Sequence, residues 1–226
     1  MKKAFTLAEV LITLGIIGVI ASLTIPALIN KTNKRELETA FKKQYSTLQQ
    51  AVMMIKTEDS LDLDYENYGS DFSKRLAAQY KSTKDCGTIK FNTGCILKNE
   101  DNSFTYYKTF NGNTLMTTCI DDGGFITPDG ILLLIEQGNQ AKNISGYLVS
   151  IDVNGYIKKP NKMGYDLFMF QITKDGRVLP MGANDTYWGT KTYRESFCNK
   201  NSTSDQNGFT CAYYALTDND YFKNLK

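Results

Sequence analysis

The sequence contains no histidine. That absence removes Ser–His–Asp triads, histidine metal sites and histidine general bases as ways for the chain to work, while leaving carboxylate or Ser/Lys chemistry open. None of its five cysteines, Cys86, Cys95, Cys119, Cys198 and Cys211, falls in a C-x-x-C pair, which speaks against a zinc ribbon or a thioredoxin-type redox site. G-x-S-x-G, P-loop and H-E-x-x-H motifs are missing too, as is a Ser–Lys catalytic motif, so no catalytic role is expected. Nor is there an excess of one charge. The formal net charge is +2, and Lys2 and Lys3 alone account for it. Composition therefore offers no general attraction to nucleic acid or anionic lipid, and no nucleic-acid partner is expected.

What the chain does have is an uninterrupted apolar run. From Val10 to Ile29, 20 residues, no side chain is charged. As a helix that length spans about 30 Å, enough to cross a bilayer core. Lys2 and Lys3 precede the run and Glu9 stands at its front. A secretory signal peptide accounts for the basic start, but the apolar run is long for one, and Ile25-Pro26-Ala27-Leu28 is a poor small-residue cleavage site. A plain signal anchor accounts for the length, with the lysines holding the N-terminus in the cytoplasm. It leaves Glu9 unexplained, because an ionised carboxylate near a membrane is costly and usually has a partner.

The stretch Ala4-Phe5-Thr6-Leu7-Ala8-Glu9, with the apolar run behind it and Pro26 near the far end, resembles the prepilin signal of the type IV pilin and type II secretion pseudopilin superfamily. The resemblance covers about the first thirty residues. It implies a leader of residues 1–4, cut between Ala4 and Phe5 by a prepilin peptidase, and N-methylation of Phe5. Where the family usually carries Gly before the cut, Ala4 stands here. It further implies that Glu9 of one subunit pairs with the Phe5 amine of a neighbour in a filament. Each charge is costly alone in an apolar setting, and breaking such a pair costs about 3–5 kcal/mol. Pro26 removes a helix hydrogen bond and lets the stem bend or locally melt, while Gly15 and Gly18 permit close helix contact.

The expected function is thus a structural subunit of a type II secretion pseudopilus or type IV pilus. Its partners would be other pilin-like subunits, the prepilin peptidase, an inner-membrane assembly platform and membrane lipid. It would cross the bacterial inner membrane once, N-terminus cytoplasmic before processing, with the remainder periplasmic or extracellular. The alternative is a membrane-anchored extracytoplasmic protein with an enzymatic or ligand-binding role that does not assemble.

Beyond Ile29 the helical period continues. Leu37, Phe41, Tyr45, Leu48, Val52 and Ile55 share one face, predicting a single helix from about Thr6 to Lys56 whose second half is amphipathic. Lys31, Lys34 and Arg35 read as a solvated face, with contact to lipid or a neighbouring subunit as the second reading. A short helix is expected over Asp71–Tyr80. Strands are expected at Phe104–Phe110, Leu115–Ile120, Gly124–Thr127, Gly130–Glu136, Tyr147–Val153, Tyr156–Ile157, Leu167–Ile172 and Arg177–Leu179, separated by Gly- and Asn-containing turns. The fold class is α+β: a long N-terminal α-helix, transmembrane half plus amphipathic half, packed on a C-terminal antiparallel β-sheet domain. The division is 5–29 for the membrane segment, 30–57 for the stem and 58–226 for the globular part.

If that part lies outside the cytoplasm, Cys86 with Cys95 and Cys198 with Cys211 would close short loops and leave Cys119 over. Spacing does not fix this connectivity, and five reduced thiols is the other reading. The segment Asp152-Val153-Asn154-Gly155, followed by Pro160-Asn161, Gly164 and Asp166, reads first as a hydrogen-bonded turn. Some pseudopilins hold calcium in their β-region, so the resemblance also implies a calcium ion on the oxygens of Asp152, Asn154 and Asp166; no other cofactor is expected. Asp121 and Asp122 read as solvated carboxylates in a Gly-rich turn, Thr190–Asn207 as a polar surface loop, and Trp188 with Tyr187 and Tyr193 as packing.

Overall fold

The computed structural model describes residues 6–89, 95–96, 106–144, 146–155 and 157–225. Its first element, α1 (Leu7–Asp59), is one continuous 53-residue helix. Thr6 caps it and Lys56 lies in its last turn, both favourable at their respective ends. Ser60 then adopts a left-handed conformation and stops it. Two short helices follow, α2 (Tyr65–Tyr68) and α3 (Phe72–Gln79). Arg75 of α3 holds the end of α1, donating to both oxygens of Asp59 at 2.8 Å and to Glu58 at 2.6 Å.

The sheet is an antiparallel meander of six strands in chain order. They are β1 (Lys84–Asp85), β2 (Gly123–Ile126), β3 (Leu132–Glu136), β4 (Gly146–Asp152), β5 (Leu167–Thr173) and β6 (Val178–Pro180). The helix α4 (Asn139–Ile144) bridges β3 and β4, and α5 (Lys191–Phe197) and α6 (Cys211–Thr217) follow the last strand.

Both faces of the sheet are covered, which is why its central strands are apolar at nearly every position rather than at alternate ones. Leu133, Ile135, Tyr147, Val149, Ile151, Phe168, Phe170 and Ile172 face the second half of α1. Leu132, Leu134, Leu148, Leu167 and Met169 face a second core with Trp188 and Phe209. The predicted stem stripe is the helix side of the first core. Phe41, Leu48, Val52 and Ile55 are buried, with Leu37 and Tyr45 packed at the margin. The Phe41 ring sits 4.6 Å from Phe168 and 5.9 Å from Phe170, centroid to centroid.

Several expectations change. Leu115–Ile120 is not a strand: Leu115 and Ile120 are buried in the second core, but the Met116 amide bonds to the Asp205 carbonyl rather than to a ladder. Of Phe104–Phe110, residues 104 and 105 lie outside the described residues, and Lys108 makes only isolated bridges, to Thr114 and Lys162. Tyr156 also lies outside them, and Ile157 is in a turn. Asn154-Gly155 therefore does not close a tight hairpin. It opens the long connection from β4 to β5, drawn together where the Val153 amide donates to the Asp166 carbonyl. The Pro128-Asp129-Gly130 and Lys174-Asp175-Gly176 turns do join adjacent strands, through Thr127 N to Ile131 O and Thr173 N to Arg177 O. Inside the polar stretch Thr190–Asn207, α5 forms behind the Thr190 cap and Asn207 is buried.

Candidate functional site

The first half of α1 stands apart from everything just described. Leu11, Ile12, Leu14, Ile16, Ile17, Val19, Ile20, Leu23, Ile25, Leu28 and Ile29 are all exposed. Its apolar window has no buried residue and is long enough to cross a membrane. Side chains added at Gly15 or Gly18 would meet nothing within 4 Å. A soluble domain rarely leaves so large an apolar surface uncovered. The helix continues through Pro26, which cannot donate a helix hydrogen bond there.

At the front of this segment Glu9 is occupied within its own chain. Its Oε2 accepts from the Thr6 amide and from the Thr6 hydroxyl, both at 2.8 Å, while Thr6 Oγ1 accepts from the Glu9 amide at 3.3 Å. This is a capping box. It was legible in Thr6-Leu7-Ala8-Glu9, where a hydroxyl precedes a carboxylate by three positions, and reading Glu9 only as an intersubunit charge overlooked it. Ala4 and Phe5 lie outside the described residues. Where the apolar run ends, Lys34 Nζ donates to the Lys223 carbonyl at 3.0 Å, tying the helix to the C-terminal segment, while Lys31 and Arg35 border a cavity of about 540 Å³.

The fold brings together Asp152, the last residue of β4, and Asp166, next to the start of β5. Both are fully buried. The Tyr107 hydroxyl donates to Asp152 Oδ2 at 2.5 Å. Burial, then the Asp166 charge, push Asp152 up to about 7, while Tyr107 and the backbone amides of Asn154 and Gly155 pull the other way. Asp166 accepts the Asn161 amide on one oxygen and the Lys162 amide on the other, both at 2.7 Å. Burial raises it to about 6. Each Asp166 oxygen is thus already matched to a backbone donor that shapes the turn. Only Asp152 Oδ1 and Asn154 Oδ1 are buried oxygens of the trio with no hydrogen-bond partner. The contacts present build the expected hydrogen-bonded turn; calcium, which takes about 6–8 oxygen ligands, would meet two buried oxygens here that make no hydrogen bond.

The cysteines pair as Cys86–Cys95 and Cys198–Cys211, with Cα atoms 5.0 Å apart in each. Cys119 is free and buried, and burial pushes its thiol up to about 12, far from a reactive thiolate. Trp188 is buried against Phe209, Phe197 and Tyr187, at 5.2, 6.1 and 5.1 Å between ring centroids. It packs rather than presenting a surface.

Comparison with protein families, curated proteins and solved structures found no match to this chain.

Proposed function

We propose that this chain is a pilin-like structural subunit of a type II secretion pseudopilus or type IV pilus. In this reading the exposed half of α1 anchors the chain in the bacterial inner membrane before assembly and packs against other pilin-like subunits afterwards. A prepilin peptidase cuts between Ala4 and Phe5, and an inner-membrane platform draws the subunit into the filament, leaving the sheet domain on the extracytoplasmic side. The role is structural rather than catalytic.

The observation that carries this reading is the asymmetry of α1. One helix buries its second half against a six-stranded sheet and exposes its whole apolar first half, with one acidic residue, Glu9, at the front of that half. Two intrachain disulfides fit an oxidising, extracytoplasmic setting. The capping box sharpens the role of Glu9. A glutamine in the same place still caps the helix start but carries no charge for a neighbour's amine.

The test is co-expression of the full chain with a prepilin peptidase, followed by mass spectrometry and crosslinking between subunits. The expected products are a chain beginning at methylated Phe5 and crosslinked multimers. Glu9→Gln should insert into the membrane and keep its helix content but lose the multimers. A mature protein still carrying Met1 or Lys2, or one cut beyond Pro26, would sink the proposal.

A further inference from the structure

A second acidic cluster lies at the other end of the sheet from Asp152. Asp121 and Asp122 lead into β2, Glu136 ends β3, and the pairing of Gly123 with Ile135 sets Asp122 beside Glu136. One carboxylate oxygen from each of the three lies within 4.8 Å of the others. The half-buried aspartates leave one side open, whereas Glu136 is only 2% exposed. Its Oε1 accepts the Gly138 amide at 3.3 Å, and its Oε2 is buried with no hydrogen-bond partner. Asp122 Oδ2 accepts the same Gly138 amide at 2.6 Å. Glycine at 138 allows this approach, because a Cβ there would lie 2.5 Å from that oxygen. The Asp121 carbonyl accepts the Ile89 amide at 2.8 Å, linking the cluster to the loop closed by Cys86–Cys95.

Among the described residues, neither Glu136 nor Asp122 forms an ion pair with a lysine or arginine. A buried carboxylate without a countercharge is costly, and it takes up either a proton or a cation. The three oxygens are hard donors and no soft ligand joins them, which selects calcium, magnesium or manganese over zinc or copper. Dehydration then discriminates. Magnesium demands near-octahedral geometry and gives up its waters reluctantly, whereas calcium accepts an irregular set of oxygens. An ion that reaches Glu136, which is almost wholly buried, must shed much of its water, and this favours calcium.

We propose that Asp121, Asp122 and Glu136 form a binding site for one calcium ion, joining the ends of β2 and β3 to the Cys86–Cys95 loop. Water reaching the open side of the two aspartates completes the coordination. The site is independent of filament assembly and does not rest on the function proposed above. Without the ion, burial first, then Asp122 and the charge of Asp121, push Glu136 up to about 9. A retained proton is therefore the rival occupant.

The test uses the full chain in detergent, stripped with a chelator, then titrated calorimetrically with calcium chloride and, separately, magnesium chloride. Calcium should bind saturably with one ion per chain. At a hundredfold excess over Kd it should raise the melting temperature by on the order of 5 °C. Glu136→Gln and Asp122→Asn should abolish both responses, and Glu136→Gln without calcium should melt no lower than the parent chain, because the amide keeps the shape and, like the protonated acid, carries no charge. Asp152→Asn should leave calcium binding intact, assigning it to this cluster and not to the other. The proposal is overturned by no saturable heat at roughly millimolar calcium, by magnesium binding more tightly than calcium, or by undiminished binding in Glu136→Gln.

Discussion

A phenol 2.5 Å from a carboxylate that water does not reach is sensitive to protonation. Asp152 has its folded-state pKa raised to about 7, above the roughly 3.9 of an unfolded aspartate. The folded chain therefore holds a proton that the unfolded chain has already released between those values. The stability this contributes is present in full below about pH 4 and is lost as pH rises through 7. Tyr107→Phe removes a donor to the charged form, so it should raise that pKa further and extend the loss upward. At pH 5, with Asp152 neutral, the substitution should cost about 1 kcal/mol; at pH 8, with the carboxylate ionised, about 2–3 kcal/mol. Urea unfolding at the two pH values measures this, and an equal penalty at both would show that Asp152 does not titrate as described.

At the scale of elements, the two halves of α1 obey different rules although they form one helix. Phe41 is fully buried and touches Phe168, Phe170 and Phe222. Phe41→Ala opens a cavity at the junction of helix, sheet and C-terminal segment and should cost about 3–5 kcal/mol. Met53, on the same helix but 65% exposed, should tolerate alanine within about 0.5 kcal/mol. Chemical denaturation of both variants checks the contrast, and a small Phe41 effect would mean that the stem does not pack as described. This is also where the sequence was most legible. Phe41, Leu48, Val52 and Ile55 recur at helical spacing, and Leu132 to Ile135 is a short apolar run followed, after a break, by others. Periodicity reports which faces are buried, and these faces were. It does not report where a peptide's own hydrogen bonds go, so the buried but ladder-free Leu115 and Ile120 looked like strand. The polar stretch that becomes α5 looked like loop, because its helix is short and owes its start to one threonine cap. Glu136 was invisible as a site residue for a related reason. It closes an apolar strand, and its meeting with Asp121 and Asp122 is a product of strand register, which no local pattern encodes.

For the whole molecule, the same asymmetry makes a claim about what folds alone. Every residue of the apolar window of α1 is outside the core, and the cores are built from Leu37 onward. Among the described residues, removing the chain up to Ile29 therefore removes no core contact. The new helix start would be Asn30, itself among the preferred N-cap residues, so loss of the Thr6–Glu9 capping box should not propagate into the stem. Packing of the amphipathic half against the sheet, not helix propensity, holds the remaining turns in place. A chain beginning at Asn30 should accordingly be soluble without detergent. Under oxidising conditions its urea midpoint should match that of the full chain, because the core contacts that set the unfolding free energy are kept and the surface exposed on unfolding, which sets the slope, is nearly the same. The full chain should partition into detergent or membrane. A truncated chain that aggregates, or that unfolds at a clearly lower midpoint, would mean that the exposed half of α1 is a structural part of the domain and not an appendage to it, and the anchoring role would lose its physical basis.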